Sequence, residues 1–151
     1  MDMNCAYVAG LIDGEGCIHL DVTGGVDSPR VTVGMTAPAL DLLTELQQEW
    51  GGTLYQMRVG TDRWAAAWTW HLTGWKAAGL LTAIRPYLRL KGGQADAALE
   101  VAAIREALPK RQNGQANWNP EARAACEEIK QRMHAMNAKG PRAPVLNAEV
   151  A

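Results

Sequence analysis

Two periodicities alternate along the chain. Residues 17–23 place Ile18, Leu20 and Val22 on one side and Cys17, His19, Asp21 and Thr23 on the other, the period-two pattern of a half-buried strand. The turn formers Gly24-Gly25-Val26-Asp27-Ser28-Pro29 lead to a second alternating run over residues 30–36. There Val31, Val33 and Met35 oppose Arg30, Thr32 and Gly34. Helical spacing follows in Leu40, Leu43, Leu46 and Trp50, with Pro38 in the first turn and Gly51-Gly52 as the stop. Residues 53–59 predict a third strand, with Leu54 and Tyr55 apolar and Gln56 and Arg58 in alternation. Gly60-Thr61-Asp62 is a hairpin turn, and residues 63–73 form a fourth strand. In that strand Trp64, Ala66, Trp68, Trp70 and Leu72 share a face expected to be core, opposite Arg63, Ala65, Ala67, Thr69 and His71.

The ends of the chain read as helices. A first helix, capped by Asn4 or Asp2, runs to about Asp13. Residues 74–84 form another; Pro86 interrupts, and a long helix covers 93–108 with Ala95, Ala98, Leu99, Ala102 and Ala103 at helical intervals. A polar loop spans 109–119, Pro120 opens an amphipathic helix over 120–138, and 139–151 are expected to be a flexible tail. Helix, two strands, helix, two strands, then helices make an α+β unit. One face of a four-stranded antiparallel sheet packs on helices and the other is left to solvent or a ligand.

Charge alters this picture little. The net charge is −1, and within residues 1–50 Arg30 is the sole basic residue against eight acids. A nucleic-acid face therefore needs Arg30, Arg58, Arg63, Arg89 and Lys91 brought together by folding. Cys5, Cys17 and Cys126 show no metal-type spacing, and His19, His71 and His134 are dispersed, so zinc is not expected. No signal peptide or membrane-length apolar run is visible, and the expectation is a reduced, cytoplasmic protein.

The chemistry concentrates in residues 7–20. Ala6, Gly10 and Gly14 recur four apart and leave one helical flank almost bare, which suits close approach of another backbone. Asp13 and Glu15 then end the helix, where its dipole disfavours negative charge, an arrangement that a cation would relieve.

Here the string Val8-Ala9-Gly10-Leu11-Ile12-Asp13-Gly14-Glu15-Gly16 resembles the signature of the LAGLIDADG homing endonucleases, with Val for the first Leu and Gly-Glu for Ala-Asp. Two further segments are similar to that family. Arg85-Pro86-Tyr87-Leu88-Arg89-Leu90-Lys91-Gly92-Gly93-Gln94-Ala95 resembles its proline-to-lysine stretch before the long helix. Gly51-Gly52-Thr53-Leu54-Tyr55 with the Trp-rich strand resembles its middle hairpin. The resemblance runs from about Ala6 to Leu108, making 1–108 an endonuclease-like core.

The resemblance implies an αββαββα fold with a saddle-shaped sheet lying on the major groove of DNA, and a C-terminal helix beyond it. Since one motif copy is present, it implies a homodimer paired through motif helices, with both Glu15 carboxylates near a two-fold axis. The implied activity is Mg²⁺-dependent, site-specific cleavage of double-stranded DNA at a long palindromic or pseudo-palindromic site, in a protein of a mobile genetic element. Carried over, Glu15 is catalytic and a metal ligand, and Gly14 supplies a backbone carbonyl. Lys91 assists water activation or stabilises phosphorane charge, and Asp13, Ala6 and Gly10 are structural. The implied DNA-binding residues are His19, Asp21, Thr23, Arg30, Thr32, Gln56, Arg58, Arg63, Thr69 and His71, with Cys17 on the same face. One departure stands out: Met35-Thr36-Ala37-Pro38-Ala39-Leu40-Asp41 lacks the polar or basic residue that the family often places after its second strand. That leaves an alternative, a non-cleaving DNA- or RNA-binding relative acting as an intron maturase or regulator.

Overall fold

The first helix starts where a side chain satisfies its free N–H groups. In the computed structural model, which describes residues 3–23 and 26–138, the Asn4 carboxamide accepts a hydrogen bond from the Ala6 N–H at 2.8 Å. Helix α1 spans Cys5–Glu15, so it continues past Asp13 and Glu15 is its last residue. Strand β1 (Gly16–Thr23) follows at once, with the Gly16 N–H still donating to the Ile12 carbonyl. That close return requires glycine. A Cβ at position 16 would stand 2.8 Å from Ile12 Cα and 2.9 Å from its carbonyl oxygen.

Strand β2 (Val26–Thr36) begins four residues earlier than its alternation predicts. Pairing with β1 overrides the local turn composition, placing Asp27 opposite Val22 and Pro29 opposite Leu20. Pro29 is tolerated because the ladder to the next strand starts one residue later, at Arg30 opposite Thr73. A 3₁₀ turn over Ala37–Ala39 precedes α2 (Leu40–Trp50), and β3 (Thr53–Arg58) and β4 (Ala67–Thr73) complete the sheet. The strand order is β1-β2-β4-β3, antiparallel throughout.

The hairpin between β3 and β4 departs from expectation. Residues 63–66 belong to its loop, where Thr61 N–H donates to the Trp64 carbonyl at 2.8 Å and Thr61 Oγ1 accepts from the Trp64 N–H at 3.1 Å. These local bonds take the backbone groups that a longer ladder would have used. Trp64 consequently lies outside the core, at 59% exposure. Trp68 and Trp70 do pack on the core side. The Trp70 indole N–H donates to the Gly51 carbonyl at 2.8 Å, fixing the β3 edge against α2.

Helices α3 (Gly74–Ile84), α4 (Gly92–Ala107) and α5 (Pro120–Asn137) complete the layer behind the sheet. One core joins Val8 and Ile12 of α1 and Ile18, Val31, Val33, Trp70 and Leu72 of the sheet to Leu43, Leu80, Ile84, Ala98 and Val101 of the helices. Cys126, Ile129 and Met133 of α5 belong to the same core, so packing continues well past residue 108. Helix α5 is also tied to the β1–β2 hairpin. Lys130 Nζ meets Asp27 at 3.3 Å, and the Asn137 carboxamide donates to the Ile18 carbonyl at 2.9 Å. Residues 139–151, expected to form a tail, lie outside the described residues. No helix among the described residues is long and apolar enough to cross a membrane.

Gly16→Ala forces its new methyl into the backbone of α1, so a loss of roughly 1–3 kcal/mol is expected, as for other overpacked sites. Urea unfolding of the two proteins measures it, and unchanged stability would show that the α1–β1 corner relaxes freely.

Candidate active site and sheet face

Asp13 and Lys91 bind two helix ends to each other. The Asp13 carboxylate accepts from the backbone N–H of Arg89 at 2.7 Å and of Lys91 at 2.9 Å, fixing the segment that leads into α4. In return the Lys91 ammonium donates to the carbonyls of Ile12 at 2.8 Å and Asp13 at 2.6 Å, covering the exit of α1. Each charge sits at the helix end whose dipole favours it: the carboxylate at an N-terminus, the ammonium at a C-terminus. Burial alone would raise the Asp13 pKa, but the N–H groups of Arg89, Lys91 and Leu90 and the Lys91 charge outweigh it and hold the carboxyl below its usual range. Asp13 is thereby fully occupied with the fold.

Glu15 is the opposite case. It is exposed, ends α1, and its carboxylate has no hydrogen-bond or ion-pair partner among the described residues. Beside it, Ala6, Gly10 and Gly14 are exposed, and a Cβ added at Gly10 or Gly14 would meet nothing within 4 Å. Exposed Tyr7, Tyr87 and Leu90 are further apolar residues of α1 and of the segment leading to Lys91. Among the described residues no three His, Cys, Asp or Glu side chains gather to hold a metal ion. The donors present are of the right kind for a hard cation, a free carboxylate and a helix-end carbonyl, but one chain offers only part of a shell.

The strand pairing sets which predicted residues share the open face. Cys17 stands opposite Thr32, His19 opposite Arg30, Asp21 opposite Ser28, and Thr32 opposite His71. Arg30 Nη1 donates to Asp21 Oδ2 at 2.6 Å, and this bond is the main reason that the Asp21 carboxyl lies below its usual range. Three buried nitrogens in this cluster have no hydrogen-bond partner among the described residues: Arg30 Nε, His19 Nδ1 and His71 Nδ1. Burial first, and the Arg30 charge second, lower the pKa of both histidines. The His71 ring also meets Tyr55 edge-on, centroids 5.7 Å apart.

Other predicted residues fall elsewhere. Gln56 pairs with Trp68 and so shares the helix-side face, staying exposed only because β3 is an edge strand. A register shift between Gln56 and Arg58 returns Arg58 to the open face, opposite Ala67. Its guanidinium is held by the Ala65 carbonyl at 3.0 and 3.2 Å and lies 5.6 Å from the Trp64 ring centre. Arg63 is exposed in the hairpin loop. Thr69 is covered, at 5% exposure, with its hydroxyl donating to Met57 Sδ at 3.4 Å. Thr23 closes β1, and its side chain lies outside the described residues. Sequence reasoning missed Tyr55, Met57 and Trp64 as exposed parts of this face and hairpin. The Gly60-Thr61-Asp62 turn pointed to a hairpin, but nothing in the sequence marked the register shift that reorients it.

The architecture is that of the LAGLIDADG homing endonucleases. No protein-family model matches the chain, and no curated protein is similar to it in sequence. Solved structures are similar to it. They include the homing endonuclease I-CvuI in complex with its target in the presence of calcium, at 19% identity over 94% of this chain and 86% of that one, TM-score 0.68. Another is the archaeal intron-encoded homing endonuclease I-Vdi141I complexed with DNA, at 16% identity over 95% and 89%, TM-score 0.66. The LAGLIDADG homing endonuclease I-GzeII in complex with its DNA target matches at 16% identity and TM-score 0.69. There the alignment covers 91% of this chain but 46% of that one, so the chain spans about half of I-GzeII. At these identities the likeness establishes the fold.

The two histidines give the sheet face a pH signature. Because their folded pKa values lie below the ordinary 6.5, folding is favoured while they are neutral. That contribution is complete above 6.5 and is lost as pH falls through the window from 6.5 down to the lowered values. Stability measured by urea at pH 7.5 and pH 5.5 should therefore fall, and His19→Gln with His71→Gln should flatten the slope. An unchanged slope in the double variant would assign the effect to other groups.

Proposed function

We propose that the chain is a homodimeric, divalent-metal-dependent, site-specific endonuclease for double-stranded DNA. The observation that carries this reading is Glu15, an unpartnered carboxylate at the end of a helix whose bare flank admits a second copy. Alone it is half of a metal site. A two-fold axis along the Ala6-Gly10-Gly14 stripe would bring a second Glu15 beside the first and seal the exposed apolar residues of α1. The similar structures support this arrangement, because the fold occurs once in chains of this length and spans about half of the longer I-GzeII.

In the dimer, Glu15 and the Gly14 carbonyl would hold Mg²⁺, whose preference is for hard oxygen donors and retained waters. When bound, such ions stabilise charge on the attacking and leaving oxygens of an in-line displacement and lower the pKa of a bound water. Lys91 keeps a positive charge at the same helix end, suited to developing phosphoryl charge or to polarising a water. Asp13 takes no part in the chemistry; it positions Lys91. On the open face, Arg30 is pre-oriented by Asp21 and is the residue best placed to read a guanine edge. Arg58, Thr32, His19 and His71 line the same side, with Arg63 in the adjoining hairpin loop, and two copies of that face imply a long palindromic or pseudo-palindromic target.

One observation favours the non-cleaving alternative: Thr36 at the end of β2 and Ala37 and Pro38 after it are exposed and offer no charged side chain. Incubation with a DNA-site library and Mg²⁺ separates the two. Specific cleavage by the wild-type protein, reduced by ~100-fold or more in Glu15→Gln, supports the enzyme. Specific binding with no cleavage in either protein supports the alternative.

The dimer has its own test. Gly10→Glu adds a side chain where the single chain has open space, so the variant should fold normally. It should sediment as a monomer and lose cleavage. A dimeric, active Gly10→Glu protein would place the interface elsewhere.

A further inference from the structure

A second site lies at the far end of α4. A cavity of about 1090 Å³ opens between the start of β2, the N-terminus of α3, the last turns of α4 and the loop before α5. Arg105, in its wall, belongs to the last turn of α4. At 1.5 Å per residue that is roughly 20 Å along the helix from Lys91. The cavity is therefore separate from Glu15.

Its lining carries more basic than acidic side chains, and several of its polar groups lack a partner among the described residues. Helix α3 begins without a side-chain cap, since the Thr73 hydroxyl makes no capping bond and no acid lies in the first turn. Its first N–H groups therefore carry uncompensated positive potential. Ser28 lines the cavity at 4% exposure, and its hydroxyl has no hydrogen-bond partner among the described residues. A Cβ placed on Gly74, the first residue of α3, would lie 3.7 Å from Ser28 Oγ, which sets that hydroxyl beside the helix N-terminus. Arg105 also has no side-chain partner among the described residues, whereas Lys110 is shared between Glu106 at 3.8 Å and the Arg105 carbonyl at 3.3 Å. The charged residues of the lining are thus Lys76, Arg105 and Lys110 against Glu106, with the Lys76 ammonium turned to the Trp75 ring, 5.7 Å from its centre.

The remainder of the lining is apolar. Leu99, Ala102 and Ala103 of α4 form one wall, and Trp75 stands at the rim with 80% exposure. A free anion needs only the polar end; the aromatic rim and apolar wall suit a ligand with a flat body. The volume accommodates a small organic ligand with room to spare.

We propose that this cavity binds a phosphomonoester with a flat aromatic body, a mononucleotide. The phosphate takes the α3 N-terminus, the Ser28 hydroxyl and the Arg105 guanidinium, and the ring stacks on Trp75.

The test titrates the full chain, without DNA, with adenosine monophosphate, adenosine and inorganic phosphate. Calorimetry measures affinity, and amide NMR shifts locate the ligand. Saturable binding of the nucleotide, ~10-fold or more tighter than of either fragment, is expected, with shifts at Gly74, Trp75 and Lys76. Arg105→Gln, a change at the surface end of α4, should weaken binding ~10-fold while leaving the unfolding midpoint unchanged, and Ser28→Ala should weaken it in the same direction. Three results overturn the proposal: no nucleotide binding at millimolar concentration, inorganic phosphate binding as tightly as the nucleotide, or shifts confined to His19, Arg30 and Thr32. The last would place the nucleotide on the sheet face.

Discussion

The exchange between Asp13 and Lys91 is the constraint on which the site depends. Two helix ends meet in the protein, and each carries the groups that the other lacks. The exit of α1 has free carbonyls and a negative dipole end; the entrance of α4 has free N–H groups and a positive one. Lys91 covers two of the carbonyls and Asp13 accepts from the Arg89 and Lys91 N–H groups just ahead of α4, at 2.6–2.9 Å throughout. An acid near the end of its own helix is unfavourable when that helix is considered alone. It becomes favourable once α4 is docked, because the same carboxylate lies at the N-terminus of a second helix. Local frustration in the sequence is thereby turned into a long-range contact, linking residues that are far apart in the chain. Glu15 has no such partner, which is why the two acids of one motif have opposite standing.

Much of the fold was legible because amphipathic periods are long-range signals. The helix boundaries near residues 84, 107 and 137 follow from Pro86, from the polar loop and from the end of the last helical pattern, all local features. The α1 C-terminus was harder to place, because Gly14 and Gly16 both resemble stops; only the return of Gly16 onto Ile12 selects one of them. The β3–β4 hairpin was the main departure. Its alternation of Trp residues continues through residue 64, yet Thr61 captures the Trp64 backbone and a register shift turns Arg58 outward. A period-two pattern cannot report such a shift, since the residues on either side of it remain individually compatible with a strand. Gln56 lies ahead of the shift and keeps the face of Leu54, opposite Trp68, while Trp64 leaves the strand altogether. Thr69 was on the predicted face but is covered there by Met57.

Charge on the open face is arranged rather than accumulated. Arg30 is the only cation in the first fifty residues, and it lies mid-sheet beside an acid and between two histidines. Pairing with Asp21 reduces its field but fixes its orientation. Burial and Arg30 itself lower the pKa values of the neighbouring histidines, so the cluster gains little positive charge beyond that of Arg30. Such a surface gains little from long-range attraction to a polyanion and depends on matched hydrogen bonds at contact. A near-neutral chain is therefore compatible with a DNA-reading sheet. Its binding would be less salt-dependent than that of a strongly basic protein.

The same reasoning explains why a site with so little of its own chemistry is not defective. A single chain offers one free carboxylate, no metal-ready cluster among the described residues, and a helix flank bare enough that added methyl groups meet nothing. A self-sufficient active site would be expected to enclose its acid among partners that tune it. Here the tuning groups, Asp13 and Lys91, are spent on fixing the direction of the helix end. What they fix is a free carboxylate beside an open surface, an arrangement that pays its conformational cost without return in the single chain. In the proposed dimer the return comes from symmetry, because one two-fold operation supplies the missing acid and covers the bare flank together.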